Sequence, residues 1–214
     1  MPALAMAQVF GQRAELAVKL VVLAIGLGAL GLIAYAASGV RAELGLQRVV
    51  AQPIPFSHKH HVGDDGIDCR YCHTRVETHA DAGLPSTRIC LTCHAQLFTD
   101  AEVLAPLRRS AATGQPIPWV RVHALPDFVY FHHGIHVAKG VACRECHGRI
   151  DQMPLTWRVA PLQMQWCLDC HRDPRPHLHA RDDVFAMTSA RRPPADEVPL
   201  QGERRLTDCS TCHR

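Results

Sequence analysis

The sequence predicts a chain with little regular secondary structure: one N-terminal membrane-spanning helix, then two short repeats built on short helices, and a C-terminal arm. Three observations predict it. Residues 20–40 carry no charge, ten cysteines share a single spacing, and the string F-x-H-x-x-H occurs twice, each time ahead of two of the cysteine pairs.

The apolar run comes first. LVVLAIGLGALGLIAYAASGV covers 21 positions, enough for a helix to cross the roughly 30 Å of a bilayer's hydrocarbon. Arg13 and Lys19 precede it, and Arg41 with Glu43 follow. The positive-inside rule then puts residues 1–19 in the cytoplasm and everything after the run outside. A cleaved signal peptide is the alternative, because Ala34-Tyr35-Ala36 resembles a small-x-small processing site. The run is long for a signal sequence, so a retained anchor is expected, and both readings export residues 41–214.

Next come the cysteines. All ten lie in C-x-x-C pairs and each pair is followed directly by histidine: CRYCH (69–73), CLTCH (90–94), CRECH (143–147), CLDCH (167–171) and CSTCH (209–213). Two of the intervals, C-x2-C-x17-C-x2-C and C-x2-C-x20-C-x2-C, have zinc-ribbon spacing. A tetrathiolate zinc site needs no histidine after every second thiol, and five pairs do not divide into fours. A disulfide closing C-x-x-C is a strained, reactive ring and not a staple. Haem attachment explains every letter: two thioethers to the vinyl groups of one haem, a gap that spans them, and an adjacent imidazole below the iron. The expectation is five covalently bound haem c groups, held by Cys69, Cys72, Cys90, Cys93, Cys143, Cys146, Cys167, Cys170, Cys209 and Cys212. The proximal iron ligands are then His73, His94, His147, His171 and His213.

Haem also changes the charge and the core. Lys plus Arg at 23 against Asp plus Glu at 20 gives +3, and five ferric haems with ionised propionates at about −1 each bring it to about −2. No basic face for nucleic acid is implied, and aromatic residues are only 6%. About 35 exported residues per porphyrin leave a core made largely of haem.

The repeat supplies the second axial ligands. FSHKHH (56–61) and FHHGIH (131–136) share F-x-H-x-x-H; His61 lies eight residues before Cys69 and His136 seven before Cys143. The chain therefore holds a dihaem module twice, residues 53–94 and 128–171, and a lone fifth haem beyond them. The domains expected are residues 1–19, the anchor 20–40, a first module 41–112, a second 113–172 and an arm 173–214. In the small c7 and c3 type of multihaem cytochrome, which this pattern resembles, the first histidine of F-x-H-x-x-H caps a haem of its own module and the second reaches a neighbouring haem. That resemblance implies His58 and His133 as first and His61 and His136 as second distal ligands. Residues at i and i+3 of a helical turn lie close enough to serve two packed irons.

For the fifth iron, His123 in PWVRVHALPDF is the first candidate, with Met153 and Met164 as thioether alternatives that would raise the haem's potential. His60, His79, His132, His177 and His179 remain as spares, solvated or paired to propionates.

The connections are irregular. Thr99 to Glu102 forms a capping-box pattern, so a short helix is expected from there to about Ser110, with Pro106 limiting its regularity. Residues 114–131 read as an extended strip, either haem cover or a docking surface. Residues 173–207 read as a proline-punctuated arm that carries the last haem away from the second module.

GLPSTRICLTCH, PWVRVHALPDFVYFHHGIH, CHGRIDQMPL and QWCLDCHR, with the single anchor and five motifs, resemble the pentahaem cytochrome c subunit of bacterial alternative complex III. The likeness spans most of residues 20–171 and is weak in the arm. It implies an electron-carrier subunit of a quinol-oxidising complex in the cytoplasmic membrane, with its haem domain on the periplasmic side. The resemblance implies as partners an iron-sulfur, molybdopterin-like subunit, polytopic quinol-binding subunits and a monohaem cytochrome c, with electrons leaving to a periplasmic acceptor or oxidase. Two other readings are a self-standing membrane-anchored quinol dehydrogenase and a multihaem reductase with one open iron. The first has 28 residues between Val40 and Cys69 to place a haem at the bilayer; the second has no motif in which lysine replaces the histidine.

Overall fold

The computed structural model describes residues 11–188 and 206–213. The chain divides into two compact units, Met1–Gly45 and Leu46–Arg214.

The described residues of the first unit hold one helix, α1 (Gln12–Glu43). It starts eight residues before the apolar run, because Gln12, Arg13 and Glu15 are good helix formers and Glu15 pairs with Lys19 one turn on, at 2.6 Å. Its stretch Gln12–Val40 is long and apolar enough to cross a membrane.

In the second unit no element among the described residues is longer than nine residues, and β-structure is confined to isolated bridges such as Val129 with His213 and Val141 with Leu178. Among the described residues seven short helices follow α1: α2 (Cys69–Cys72), α3 (Thr87–His94), α4 (Ala105–Thr113), α5 (His133–Ala138), α6 (Cys143–His147), α7 (Met164–Arg172) and α8 (Cys209–Cys212). A π-helical turn spans Lys59–Asp64. Among the described residues only ten apolar side chains are buried, too few to fill a core by themselves. The one cluster they form, Ile54, Leu107 and Ile117 with Leu91, Leu104 and Trp119 against it, sets α4 on α3.

The expected helix from Thr99 begins later. A 3-10 turn at Glu102–Leu104 leads into α4, and Pro106 sits in the first turn of α4, where its missing N–H costs nothing. Arg108 bonds the Thr99 and Ala101 carbonyls at 2.9 and 2.8 Å, so the segment before the helix is held by a side chain further along and not by a capping box. Gly114, at φ 71°, ends α4 in the left-handed region. Residues 114–131 contain no helix, and Gln52 bonds both backbone groups of Val120.

The two repeats interlock. His133 N–H donates to the Ala80 carbonyl and Gly134 N–H to that of His79, both at 3.1 Å, while Lys59 N–H donates to the Met153 carbonyl at 3.0 Å. Glycines make the approach possible on both sides. A Cβ on Gly134 would stand 2.7 Å from the Glu77 carbonyl oxygen, and one on Gly63 would overlap that of Asp151.

The arm does not lead away from the second repeat over its first part. His179 N–H donates to Gly140 O at 2.8 Å, Cys143 N–H to Val184 O at 3.1 Å, and the Arg70 guanidinium lies 4.6 Å over the Phe185 ring. The cause is Glu145, a carboxylate between the two thiols of CRECH, which captures two of the spare histidines of the arm: His177 and His179 each meet it at 2.9 Å. Residues 189–205 of the arm lie outside the described residues.

Candidate metal centres

Each C-x-x-C pair lies on a short helix. One helical turn puts the two thiols on the same face and the histidine beside them. Asp68 caps α2, its carboxylate accepting from Arg70 N–H at 2.8 Å. None of the ten cysteines is in a disulfide.

The imidazoles come in facing pairs. His58 and His73 lie with ring centres 6.5 Å apart and planes 5° from parallel; His133 and His147 are at 6.5 Å and 13°. His136 faces His171 at 6.1 Å, and His61 faces His94 at 6.2 Å with planes tilted by 60°. Such separations are too wide for ring contact. Two metal–nitrogen bonds of about 2 Å each, with about 1.1 Å from nitrogen to ring centre on either side, span about 6.2 Å. The spacing therefore suits one iron with a flat macrocycle between the rings, and each pair joins a F-x-H-x-x-H histidine to a C-x-x-C-H histidine.

The other ring nitrogen fixes the tautomer. Nδ1 donates to a backbone carbonyl in His73 (Gly83, 2.7 Å), His94 (Leu97, 3.1 Å), His171 (Leu206, 2.8 Å) and His213 (Phe128, 3.1 Å). The same holds for His61 (Ser57, 2.9 Å), His136 (His132, 2.9 Å) and His133 (Ala80, 2.8 Å). A carbonyl can only accept, so Nδ1 carries the proton and Nε2 keeps its lone pair for a metal. His58 Nδ1 meets the Thr156 hydroxyl at 3.0 Å. Burial drives His58 down to about 4 and His147 to about 3, so both are held neutral, the form that ligates.

The thiols order the motifs in space. Cys90 lies by Cys72, Cys69 by Cys143, Cys146 by Cys170 and Cys167, and Cys167 by Cys212. The order is thus CLTCH, CRYCH, CRECH, CLDCH, CSTCH, with the first motifs of the two repeats meeting in the middle. Burial pushes Cys146 up to about 12 and raises Cys72, Cys90, Cys167 and Cys170, as expected of thiols turned inward.

Three sequence candidates for the fifth iron are spread apart. Met153 is 2% exposed beside the backbone of Lys59, and Met164 is 67% exposed at the start of α7. His123 packs edge-on against His147 with ring centres 4.3 Å apart, and its Nε2 is buried with no hydrogen-bond partner. Among the described residues the ring against His213 is that of Phe128, at 5.9 Å. Of the other spares, His60 lies 3.6 Å from Asp65, His79 pairs with Thr78, and His132 accepts from Ile135 N–H at the start of α5.

The chain is 39% identical over 97 residues to "Menaquinone reductase, multiheme cytochrome c subunit" from Nitratidesulfovibrio vulgaris strain Hildenborough, covering 45% of each chain. The chain thus matches less than half the length of that relative. Residues 129–214, with three of the five motifs, match the family of cytochrome c7 and related cytochrome c. That part is similar to c7-like multihaem cytochrome c, a family that binds haem c covalently and transfers electrons.

Proposed function

We propose that this chain is the electron-carrier subunit of a membrane quinol-oxidising complex of the alternative complex III kind, holding five haem c groups on the extracytoplasmic side. The observation that carries it is the set of four facing imidazole pairs, each completing one C-x-x-C-H motif. Haem c supplies one-electron exchange between ferric and ferrous iron. The chain's own residues would anchor each group through two thiols, face four of the five with an imidazole pair, and hold every paired imidazole except that of His147 by a hydrogen bond at Nδ1.

With both faces of four irons taken and His123 assigned to the fifth, no open iron is offered to a substrate, and quinone chemistry is assigned to other subunits. The partners are an iron-sulfur subunit, polytopic quinol-binding subunits, a monohaem cytochrome c and a periplasmic acceptor or oxidase. The helix Gln12–Glu43 anchors the chain in the cytoplasmic membrane. His213 is the proximal ligand of the fifth iron. His123 is proposed opposite it because its Nε2 is buried and partnerless; that ligation requires the ring to leave His147, against which it packs at 4.3 Å.

The name of the relative favours a second reading: the same carrier role with electrons flowing towards menaquinone. Detergent purification tests the carrier role. The carrier should copurify with integral-membrane and iron-sulfur subunits, carry five haems by pyridine haemochrome, and show five low-spin ferric signals by EPR. A chain that purifies alone and oxidises quinol, or that has an exchangeable high-spin haem, overturns it. Quinol oxidation against quinone reduction by the intact complex fixes the direction.

A further inference from the structure

The partners of the distal histidines follow a pattern. The second histidine of each F-x-H-x-x-H string is held from within its own repeat, His61 by Ser57 and His136 by His132, each through the carbonyl four residues back. The first is held from the other repeat: His133 by Ala80, and His58 by Thr156, 98 residues further on. Three of these four acceptors are backbone carbonyls, which no substitution of their own residue removes. Thr156 is a side chain. Its hydroxyl, 3.0 Å from Nδ1, sits behind the ring that lies closest to parallel with its partner, 5° from His73.

We propose that Thr156 is the positioning residue for His58, setting from the second repeat both the ring orientation and the redox potential of the haem site in the first. The inference rests on the haem reading above. With Nε2 directed at iron, Nδ1 carries the proton and Thr156 Oγ1 accepts it as a hydrogen bond. That bond makes the imidazole more electron-rich, which favours ferric over ferrous iron. Outer-shell partners of metal-bound histidine are typically worth 10–100-fold. A tenfold loss of the ferric preference raises a one-electron potential by about 59 mV. The effect is confined to one site, since no other imidazole among the facing pairs has its Nδ1 partner on Thr156.

The test is a potentiometric titration of the purified holoprotein, read by visible and EPR spectroscopy, for wild type, Thr156→Val, Thr156→Ser and Thr156→Ala. Valine keeps the shape and removes the acceptor; serine keeps the acceptor. The expected result is a rise of about 59 mV in one component with valine and with alanine, none with serine, and a shifted low-spin EPR signal for that component alone. The component that moves should be the one that turns high-spin in His58→Ala. Unchanged potentials in both Thr156→Val and Thr156→Ala, or an equal shift in Thr156→Ser, overturn the role of Thr156 while leaving the haem reading intact. A wild-type protein without haem on Cys69 and Cys72, seen by peptide mass, overturns the haem reading itself.

Discussion

Replacing Gly134 by alanine tests how the second repeat is held. The added Cβ would lie 2.7 Å from the Glu77 carbonyl oxygen, 3.0 Å from its carbon and 3.1 Å from the carbonyl carbon of Thr78. All three are backbone atoms, which cannot swing aside as a side-chain tip would. Relief requires the turn at 133–134 to withdraw by about 0.7 Å, a typical overpacking response. The hydrogen bonds at that contact are His133 N–H and Nδ1–H to Ala80 O, at 3.1 and 2.8 Å, and Gly134 N–H to His79 O at 3.1 Å. Lengthened by that amount they pass about 3.5 Å and cease to count. At about 1 kcal/mol each, partly recovered by water, the loss is about 2 kcal/mol. For a chain of this size that lowers the melting temperature by about 4–8 °C. The assay is thermal unfolding of the detergent-solubilised holoprotein followed in the Soret band, with the high-spin fraction measured by EPR before heating. His133 should lose its fixed orientation, so one ferric haem should show a partial high-spin signal. A Gly134→Ala protein that melts with wild type and keeps every haem low-spin refutes the reasoning, because residues 77–80 would then not be what positions His133.

Other consequences can be measured in the same preparations. His133→Ala should convert one haem, that of Cys143 and Cys146, to a high-spin form that binds exogenous imidazole; an unaltered EPR spectrum removes His133 from the ligand set. His123→Ala should convert a further haem, and an unchanged low-spin count makes His123 packing against His147 and no more. Glu145→Ala leaves His179, whose side chain is 3% exposed, without its carboxylate partner, at a cost of about 1–3 kcal/mol. The arm at 175–188 should then become susceptible to limited proteolysis. Burial raises the Glu145 carboxyl, but hydrogen bonds from His177 and His179 outweigh it, and the net value lies below the ordinary carboxylate range. A carboxylate depressed on folding contributes stability that is present above its unfolded value and is lost as pH falls through the folded one. The difference in melting temperature between wild type and Glu145→Gln should therefore be present near neutral pH and vanish in acid; a difference independent of pH refutes the ionic role.

The letters of this chain name which residues meet far better than they name what holds them. C-x-x-C-H and F-x-H-x-x-H are local patterns, and one helical turn converts each into fixed geometry whatever lies around it. The groups behind the rings are different. Ala80, Gly83, Leu97 and Leu206 act through their carbonyls, so any residue could stand there and no letter marks them. Thr156 and Glu145 have informative side chains but act across 98 and 34 residues, beyond the reach of any periodicity. Gly134 and Gly63 left a signal: a glycine beside the ligand histidines of each repeat, where only the absence of Cβ lets the other repeat's backbone approach. The start of α1 was obscured for the opposite reason, since charged helix formers ahead of the apolar run extend the helix without extending the hydrophobicity.

The cross-repeat contacts also decide whether a dihaem repeat is a self-sufficient part. Each repeat carries its own thiols and proximal histidines, so a fragment of residues 41–112 contains everything that attaches two haems. It lacks Thr156 behind His58, the Met153 carbonyl that accepts from Lys59, and the Asp151 backbone against Gly63. His61 keeps its Ser57 carbonyl and His94 its Leu97 carbonyl. The two sites of the exported fragment should therefore behave unequally: the haem of Cys90 and Cys93 low-spin as in the full chain, that of Cys69 and Cys72 mixed-spin with a raised potential. Supplying residues 113–214 as a second exported fragment should restore the low-spin signal to the extent that the halves reassociate. Two low-spin haems at full-chain potentials in fragment 41–112 alone would show that each repeat orients its own ligands. The reciprocal hydrogen bonds would then serve packing, with no part in setting the ligands.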